Sequence, residues 1–203
     1  MTSATERDRR SDHVEDTRAA LLTAARVLFT DAGYANTRTE EIVQRARLTR
    51  GALYHHFRSK EDLFRAVLEQ VESELITGLV ANAAAPDDNA DYWVTFRQVC
   101  QAFLDECDDP AVRRIMLVDG PAVLGWAECR AVGLPYGFGA LRRSLQEAVA
   151  RGVLAPQPVE PLAHLLIAAI SEAALYIAAA SSHEDARTQM GTALDRLLES
   201  LRS

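Results

Sequence analysis

Residues 40–63 have the sequence EEIVQRARLTRGALYHHFRSKEDL, and this stretch determines how the N-terminal part of the chain is expected to fold. Apolar residues recur there at helical spacing on both sides of a short turn. Thr49 is expected to cap a helix that ends at about Phe57, and Thr37 with Glu40 is expected to form a capping box before the preceding helix. Two short helices joined by a turn of about four residues are typical of a helix-turn-helix motif.

Helical periodicity extends through the remaining chain, and no segment shows the sustained alternation of a strand. A first helix is predicted from about residues 12–17 to Ala32, with Gly33 as its C-terminal cap. Ser59 and Asp62 are expected to open a long fourth helix. The sequence therefore predicts an all-α fold, with an N-terminal head of residues 1–62 and a helical body of residues 63–203. Further helices are predicted near residues 93–103, 111–118, 122–131, 141–150, 162–180 and 185–201, with interruptions at 82–91, 119–121 and 133–139.

The composition favours helices and a soluble chain. Of the 203 residues, 48% are hydrophobic and only 6% are aromatic, so aliphatic side chains and alanine dominate the apolar content. These residue types favour helix over strand. No run of about 18 consecutive apolar residues is present to span a membrane, and the polar N-terminus is unlike a secretory signal. We therefore expect a cytoplasmic protein with no membrane partner.

The charge is distributed unevenly along the chain. Residues 1–60 carry 11 Lys+Arg and 8 Asp+Glu, a net charge of +3, whereas residues 61–203 carry 11 Lys+Arg and 21 Asp+Glu, a net charge of −10. A basic head joined to an acidic body predicts that a polyanion would bind the head only.

The second helix of the predicted motif carries groups that suit the DNA major groove. Arg50 stands at its N-terminus, where a bidentate contact to guanine is possible, and Gly51 would let the backbone approach the duplex closely. Hydroxyl groups and helix N-termini suit phosphates. The residues that these arguments select for DNA contact are Thr37, Thr49, Arg50, Gly51, Tyr54, His55 and Lys60.

Other chemistries are poorly supported by the sequence. His55 and His56 are neighbours in one helix, so their side chains point about 100° apart and cannot share a metal ion. Cys100, Cys107 and Cys129 form no CxxC pair, and neither a disulfide framework nor a zinc site is expected. The GxSxG, P-loop and GxGxxG motifs are absent. We predict no enzyme activity, no metal site and no cofactor.

The stretches AARVLFTDAGYANT and EEIVQRARLTRGALYHHFRSKEDL resemble the DNA-binding head of the tetracycline-repressor (TetR) family of bacterial transcription regulators. The resemblance is close over residues 17–64. Over the rest of the chain it is limited to the general arrangement of an all-helical body. It implies an N-terminal helix-turn-helix head on a helical ligand-binding and dimerisation body. It implies base contacts by Arg38, Arg50 and Gly51. The phosphate contacts that it implies are made by Thr37, Thr49, Tyr54, His55 and Lys60.

Two residues depart from the family pattern. Arg47 occupies the turn position where glycine is usual, so a left-handed conformation there would carry some strain. Val43 replaces the usual alanine where the two helices of the motif cross. Both residues could shift the direction in which the recognition helix points. The resemblance places His56 at the inner edge of the head, where it packs more often than it contacts bases.

The resemblance also implies that the last two helices pair with a second subunit. Their apolar faces are broad, and a four-helix interface formed by two subunits would bury them. The alternative is that both faces pack inside one subunit. The residues predicted for the dimer interface are Leu165, Leu166, Ala169, Ile170, Ala173, Ile177, Leu194, Leu197, Leu198 and Leu201.

A cavity for a small-molecule effector in the body is a further implication of the resemblance. For each candidate lining residue taken singly, ordinary core packing is the stronger expectation. Glu172 is notable because a carboxylate in an apolar helix face needs a partner if it is buried. It could contact a ligand or lie at the rim of the dimer seam. The candidates are Trp93, Phe96, Cys100, Met116, Trp126, Tyr136, Phe138, Glu172 and Tyr176.

Together these arguments predict a ligand-responsive transcriptional regulator. We expect a repressor that binds a palindromic operator in double-stranded DNA as a homodimer and is released by an unidentified small-molecule effector. The alternative, motivated by Arg47 and Val43, is a small-molecule sensor or scaffold with altered or lost operator binding.

Overall fold

The computed structural model describes residues 2–83 and 92–202, with side chains for residues 14–82 and 92–202. Every regular element in this part of the chain is helical, so the predicted all-α fold is confirmed. The predicted interruption at 82–91 lies mostly outside the described residues. The head is formed by α1 (Thr2–Ala32), α2 (Thr39–Ala46), α3 (Arg50–His56) and the start of α4 (Lys60–Ala83).

Beyond α4, residues 92–202 of the body form six α-helices and two π-helical segments, together with short 3-10 turns. The π-helical segments are Val112–Asp119, which precedes α6, and Leu134–Phe138, which joins α7 to α8. The α-helices are α5 (Tyr92–Asp105), α6 (Gly120–Leu124), α7 (Trp126–Gly133), α8 (Gly139–Ala150), α9 (Val159–Ala179) and α10 (His183–Glu199).

Local side-chain caps begin two of the head helices as predicted. Thr49 Oγ1 accepts a hydrogen bond from the Ala52 N–H at 3.2 Å, so Thr49 is the N-cap of α3. Ser59 Oγ accepts from the Asp62 N–H at 3.1 Å at the start of α4. Each cap satisfies one of the backbone donors that a helix N-terminus leaves free.

The predicted capping box of Thr37 and Glu40 is wrong by one residue. The N-cap of α2 is Arg38, whose N–H donates to Glu41 Oε2 at 2.8 Å. The Thr37 hydroxyl is instead 2.8 Å from the carbonyl oxygen of Gly33, a contact made inside the head. Arginine has no acceptor atom, so only the glutamate half of a capping box forms.

The predicted interruptions at 119–121 and 133–139 are also wrong, because the chain stays helical at both. The Gly120 N–H donates to the Ile115 carbonyl, an i to i+5 bond that widens the turn. The proline that follows takes an early position in α6, where its missing N–H costs no hydrogen bond. The true break falls at Gly125, whose φ of 76° and ψ of 159° favour glycine.

The head and the body are joined by a hydrophobic core around α4. Phe64 and Val67 of α4 are fully buried in the head, and Val112 and Ile115 of the first π-helical segment belong to the same apolar cluster. A second cluster lies between α5, α8, α9 and α10. Packing therefore continues across the predicted domain boundary at residue 62, and the division into two domains stays a prediction.

The α9–α10 pair has two apolar faces, and only one is free. The structure contradicts six of the ten predicted interface residues, because these six are 0–5% exposed in the core of their own subunit. The alternative, that the face packs inside one subunit, therefore holds for the face that these six residues form. Its residues are Leu166, Ile170, Ala173, Ile177, Leu194 and Leu198.

A different stripe of α9 faces solvent. Leu165 is 71% exposed and Tyr176 is 49% exposed, and Ala168 and Glu172 lie between them at spacings of three and four residues. On α10, Leu197 is 42% exposed. These five residues form what we call the α9–α10 outer face. The predicted residues Ala169 and Leu201 are half-buried at its edges.

Within the described chain, α9 is the one helix long and apolar enough to cross a membrane by length and composition. The core helix of a soluble protein meets the same criterion, and six residues of α9 are buried in the body. Its free side carries the Glu172 carboxylate. The helix therefore fits a packed body with one exposed face.

Candidate nucleic-acid interface and ligand cavity

The recognition helix α3 is held by a small buried anchor and presents its other side to solvent. Leu53 is 0% exposed and Phe57 is 3% exposed, and both belong to the apolar core of the head. The remaining side of α3 is exposed, and four residues predicted to contact DNA lie there together: Arg50, Gly51, Tyr54 and His55.

Arg50 is an exposed cation on this surface, and two neighbouring side chains hold it in place. Its guanidinium lies 3.1 Å from Glu40 Oε1 and 5.8 Å from the centre of the Tyr54 ring. A side-chain hydrogen bond with Tyr54, reinforced by Glu40, raises the pKa of Arg50. Exposed ion pairs of this kind are weak, so Arg50 can exchange Glu40 for a base edge at small cost.

Gly51 is not required by the packing of the chain itself. A Cβ placed at Gly51 would be 3.7 Å from Thr49 Oγ1, an ordinary van der Waals contact, and the described residues offer no closer obstacle. The packing of the described residues therefore does not explain why this position is glycine. Arg38, at the N-terminus of α2, is exposed as well.

Two predicted phosphate contacts are used inside the head. Thr37 is 2% exposed and its hydroxyl faces backbone carbonyls, so the structure contradicts its prediction as a DNA contact. Lys60 Nζ donates to the carbonyl oxygens of Tyr34 at 2.7 Å and Thr37 at 2.9 Å. Burial lowers the pKa of Lys60. Both side chains therefore hydrogen-bond to the loop between α1 and α2, and Lys60 Nζ also lies 4.0 Å from the centre of the Tyr34 ring.

The turn before α3 contains Arg47 in a left-handed conformation, which is unfavourable for a residue with a side chain. Arg47 has φ 55° and ψ 39°, which is left-handed, and its N–H donates to the Gln44 carbonyl at 3.1 Å. Val43 is 9% exposed and packs in the head core. Arg47 therefore adopts the left-handed conformation that was expected to carry strain, and the Thr49 cap that follows it is intact.

The head contacts the body through a buried acid. Asp119 is 9% exposed at the end of the first π-helical segment. Its Oδ2 accepts from the Tyr34 N–H at 2.7 Å and from Arg114 Nε at 3.3 Å. Tyr34 is the residue whose carbonyl Lys60 bonds. A continuous set of hydrogen bonds therefore links the π-helical segment to the start of α4 through the α1–α2 loop.

Two adjacent cavities lie between the described helices of the body. The first, of about 150 Å³, lies between α4, the first π-helical segment, α7 and α9. The second, of about 350 Å³, lies between α4, α5, α8 and α9. Four residues line both cavities and form the boundary between them: Ile76, Phe103, Gly137 and Ile167.

Five of the nine predicted ligand residues line these cavities. Met116, Trp126 and Phe138 line the first cavity, and Phe96 and Cys100 line the second. The other four line neither: Trp93 is 0% exposed in the core, Tyr136 donates to Glu69 Oε1 at 3.0 Å, and Glu172 and Tyr176 lie on the α9–α10 outer face. The structure therefore places these four residues outside both cavities. For Glu172 and Tyr176, helical periodicity did not distinguish a cavity face from an outer face.

Glu72 lines the first cavity and was missed by the sequence analysis. Its side chain is 9% exposed, and burial, with the nearby Glu69 charge, raises the pKa of Glu72 to about 7. The sequence does carry a signal: Glu72 falls four residues after Leu68 and three before Leu75, both buried. An acid at an apolar position of a long helix marks a candidate site.

Metal and thiol chemistry find no support in the described ranges. No group of three or more His, Cys, Asp and Glu residues there could hold a metal ion. Burial raises the pKa of Cys100 and of Cys107 to about 12, and the pKa of Cys129 to about 11. Thiols with such pKa values are protonated and unreactive near neutral pH.

Comparison with known proteins gives a consistent result. The family described as "Bacterial regulatory proteins, tetR family" matches residues 21–67. The family described as "Tetracyclin repressor-like, C-terminal domain" matches residues 93–201, more than half of the chain. The Tn10 TetC protein of Escherichia coli is 26% identical over 160 residues, which is 79% of each chain.

Solved structures share the whole architecture. A TetR-family transcriptional regulator from Pectobacterium atrosepticum is 35% identical with a TM-score of 0.82, covering 94% of this chain and 96% of that one. RolR in complex with resorcinol has a TM-score of 0.72 at 20% identity, covering 92% of this chain and 89% of that one, which shows the fold alone. With its helix-turn-helix head and helical body, this chain belongs to the TetR family of DNA-binding transcriptional regulators.

Proposed function

We propose that the protein is a repressor that binds a palindromic operator as a homodimer and releases it when a small molecule binds the body. The observation that carries the proposal is the solvent-facing side of α3. Arg50, Gly51, Tyr54 and His55 stand there together on a buried anchor, in a region that carries a net charge of +3.

The contacts follow from the chemistry of each side chain. Arg50 would exchange Glu40 for the acceptor edge of guanine, and Gly51 would let the backbone approach the bases. Arg38, at the neighbouring helix N-terminus, would reach a second base edge. The Tyr54 hydroxyl, His55 and the Thr49 hydroxyl would donate to phosphates, which position the helix without reading sequence.

Dimerisation is supported by the α9–α10 outer face. Leu165, Tyr176 and Leu197 are each more than 40% exposed. A cluster of large apolar side chains in solvent normally marks an interaction site. Two copies of this face, related by a two-fold axis, would bury the cluster and place two heads on adjacent half-sites. The same interface would cover the free apolar side of α9, which fits a cytoplasmic protein.

Effector release is supported by the connection between the first cavity and the head. Met116 lines the cavity, and Asp119, three residues later, accepts the hydrogen bond from the Tyr34 N–H. A ligand that shifts the π-helical segment would therefore shift the α1–α2 loop, which Lys60 also holds. Such a ligand releases DNA if it favours the arrangement that does not bind DNA. The fold neighbour RolR binds resorcinol in its structure, a small molecule suited to cavities of this size.

Fluorescence anisotropy tests the proposal. The labelled DNA is the region upstream of the protein's own gene, and the competitor is the same DNA with its sequence shuffled. Replacing Arg50 by Ala should weaken operator binding by about tenfold to a hundredfold and reduce discrimination against the shuffled DNA. Arg143→Ala, an exposed arginine on α8, is the matched control and should change nothing. Equal affinity for both DNAs, or no effect of Arg50→Ala, would refute the proposal.

The alternative of a sensor without operator binding rests on Arg47 and Val43. The structure accommodates both residues while keeping the Thr49 cap and the exposed side of α3. No observation therefore favours the alternative, and operator binding in the same titration would exclude it.

A further inference from the structure

Glu72 is a buried acid that forms no ion pair with the described residues. Its Oε2 atom is fully buried and has no hydrogen-bond partner among the described residues. Within the same residues, no lysine, arginine or histidine forms an ion pair with it. An unpaired carboxylate oxygen in an apolar site is costly. A donor supplied by a ligand would remove that cost.

The wall opposite this oxygen is kept free of side-chain atoms. A Cβ at Gly133 of α7 would lie 2.9 Å from Glu72 Oε2. Gly133 has φ −76°, which any residue adopts, so its backbone conformation does not require glycine. Glycine at this position instead leaves room for the carboxylate at the edge of the first cavity, which both residues line.

The remaining walls suit a hydrophobic cation. Trp126 and Phe138 line the cavity with Met116 and Leu134, and aromatic faces attract cations electrostatically. Trp126 is 61% exposed, which places it at the cavity mouth. Arg130 and His164 also line the cavity, but both side chains are exposed to solvent. A buried acid surrounded by aromatic and aliphatic groups selects against anions.

We propose that the first cavity binds a compact lipophilic amine, whose ammonium group pairs with the Glu72 carboxylate and whose hydrocarbon part contacts Trp126 and Phe138. The cavity volume of about 150 Å³ restricts this ligand to a small molecule. Charge-assisted hydrogen bonds are roughly twice as strong as neutral ones, so an amine is favoured over an alcohol of the same shape. The inference deepens the proposed function and rests on its ligand-binding body.

Isothermal titration calorimetry on the full-length protein tests this inference with three probes of similar size. They are 2-phenylethylamine as the cation, 2-phenylethanol as the neutral donor and 3-phenylpropionate as the anion, all at pH 8. The amine should bind about tenfold more tightly than the alcohol, and the anion should bind most weakly. Glu72→Gln should weaken the amine by about tenfold and leave the alcohol within about twofold. The exposed Glu106→Gln is the matched control and should behave as the wild type.

A second variant keeps the acid and alters only its surroundings. Gly133→Ala places a methyl group against Oε2, so the amine should again bind more weakly while urea unfolding stays cooperative. This variant decides the outcome if Glu72→Gln does not fold. An alcohol that binds as tightly as the amine overturns the inference. So does an amine affinity that neither variant changes, or the absence of binding by all three probes.

Operator binding separates the two proposals. Adding 2-phenylethylamine to the protein–operator complex should lower the fluorescence anisotropy. If the amine binds in a Glu72-dependent way but leaves operator affinity unchanged, the site stands and the effector mechanism fails. If the operator binds normally and no probe depends on Glu72, only the present inference fails.

Discussion

In the head, Lys60 donates to the Tyr34 and Thr37 carbonyls at 2.7 and 2.9 Å, whereas in the body a buried oxygen of Glu72 has no partner among the described residues. The Thr37 hydroxyl is likewise bonded inside the head. On the body, by contrast, Leu165 leaves 71% of its surface in solvent. These two polar side chains of the head are hydrogen-bonded within the head. The body, by contrast, has a buried carboxylate oxygen without a hydrogen-bond partner among the described residues and a large apolar side chain in solvent.

This contrast fits the two tasks that we propose for the head and the body. A surface that reads DNA gains affinity and accuracy when its helix is fixed before binding, because little conformational freedom is then lost. A region that responds to a ligand and a second subunit needs groups whose environment improves on binding. The two regions meet at Asp119 and Tyr34, where one hydrogen bond of 2.7 Å connects them.

The largest effect is expected from disrupting the proposed dimer interface of the body, because this interface would hold the two heads together. Leu165→Asp places a charge in the centre of the α9–α10 outer face and should yield a monomer. Operator affinity should fall by about a hundredfold or more, because the two heads no longer bind as one unit. Size-exclusion chromatography with light scattering and fluorescence anisotropy measure the two effects. Val94→Asp changes a 42% exposed valine on α5 and is the matched control; a dimeric Leu165→Asp would contradict the assignment.

The unsatisfied acid of the body should make stability depend on pH. The pKa of Glu72 rises from 4.5 to about 7 in the folded protein. The protonated Glu72 therefore makes its full favourable contribution to the free energy of unfolding below pH 4.5. This contribution is lost as the pH rises through 7. The loss is about 3 kcal/mol of unfolding free energy at pH 8. Glu72→Gln should remove this loss, so the variant gains stability over the wild type between pH 5 and pH 8.

Urea unfolding at pH 5 and pH 8, at one protein concentration, measures this gain. Glu106→Gln serves again as the exposed control and should show the same pH dependence as the wild type. A Glu72→Gln variant whose stability relative to the wild type is equal at both pH values would show that the acid is not buried as described.

A smaller effect is expected at the junction of the two regions. Asp119→Ala leaves the Tyr34 N–H without its acceptor in a half-buried site, which should cost about 1–2 kcal/mol. Hydrogen exchange of the Tyr34 amide should accelerate by about tenfold, since about 1.4 kcal/mol corresponds to that factor. Asp119→Asn keeps an acceptor oxygen of the same shape and should retain most of the protection. Unchanged exchange in Asp119→Ala would mean that the bond does not couple head and body.

The smallest effect concerns the one strained residue of the head. Arg47 is the described non-glycine residue with positive φ, and its left-handed conformation costs about 1–2 kcal/mol. Glycine removes this strain but loses about 0.5–1 kcal/mol through the flexibility of the unfolded chain. Arg47→Gly should therefore stabilise the protein by about 0.5 kcal/mol. Arg45→Gly, in the exposed interior of α2, should destabilise it by about 1 kcal/mol. Urea unfolding of both variants provides the measurement, and a destabilised Arg47→Gly would contradict the prediction.

Much of the head could be predicted because its signals are local. Thr49, Ser59 and Gly33 act within four residues of their own positions, at the ends of the head helices. The body was harder to predict. Gly120 and Gly139 are typical of loops in isolation, yet π-helical turns carry the chain through both. Those turns depend on packing partners that no local pattern reveals.

The amino-acid pattern was enough to predict the all-α class, the helix-turn-helix motif and the exposed side of the recognition helix. Each of these depends on neighbouring residues, a few positions apart along one helix or turn. The folded chain was needed to show that Thr37 is buried, that Glu72 rather than Glu172 lines a cavity, and which side of α9 remains free. The reason is physical: both sides of α9 are apolar, and burial is set by residues far away in the chain that pack against one of them.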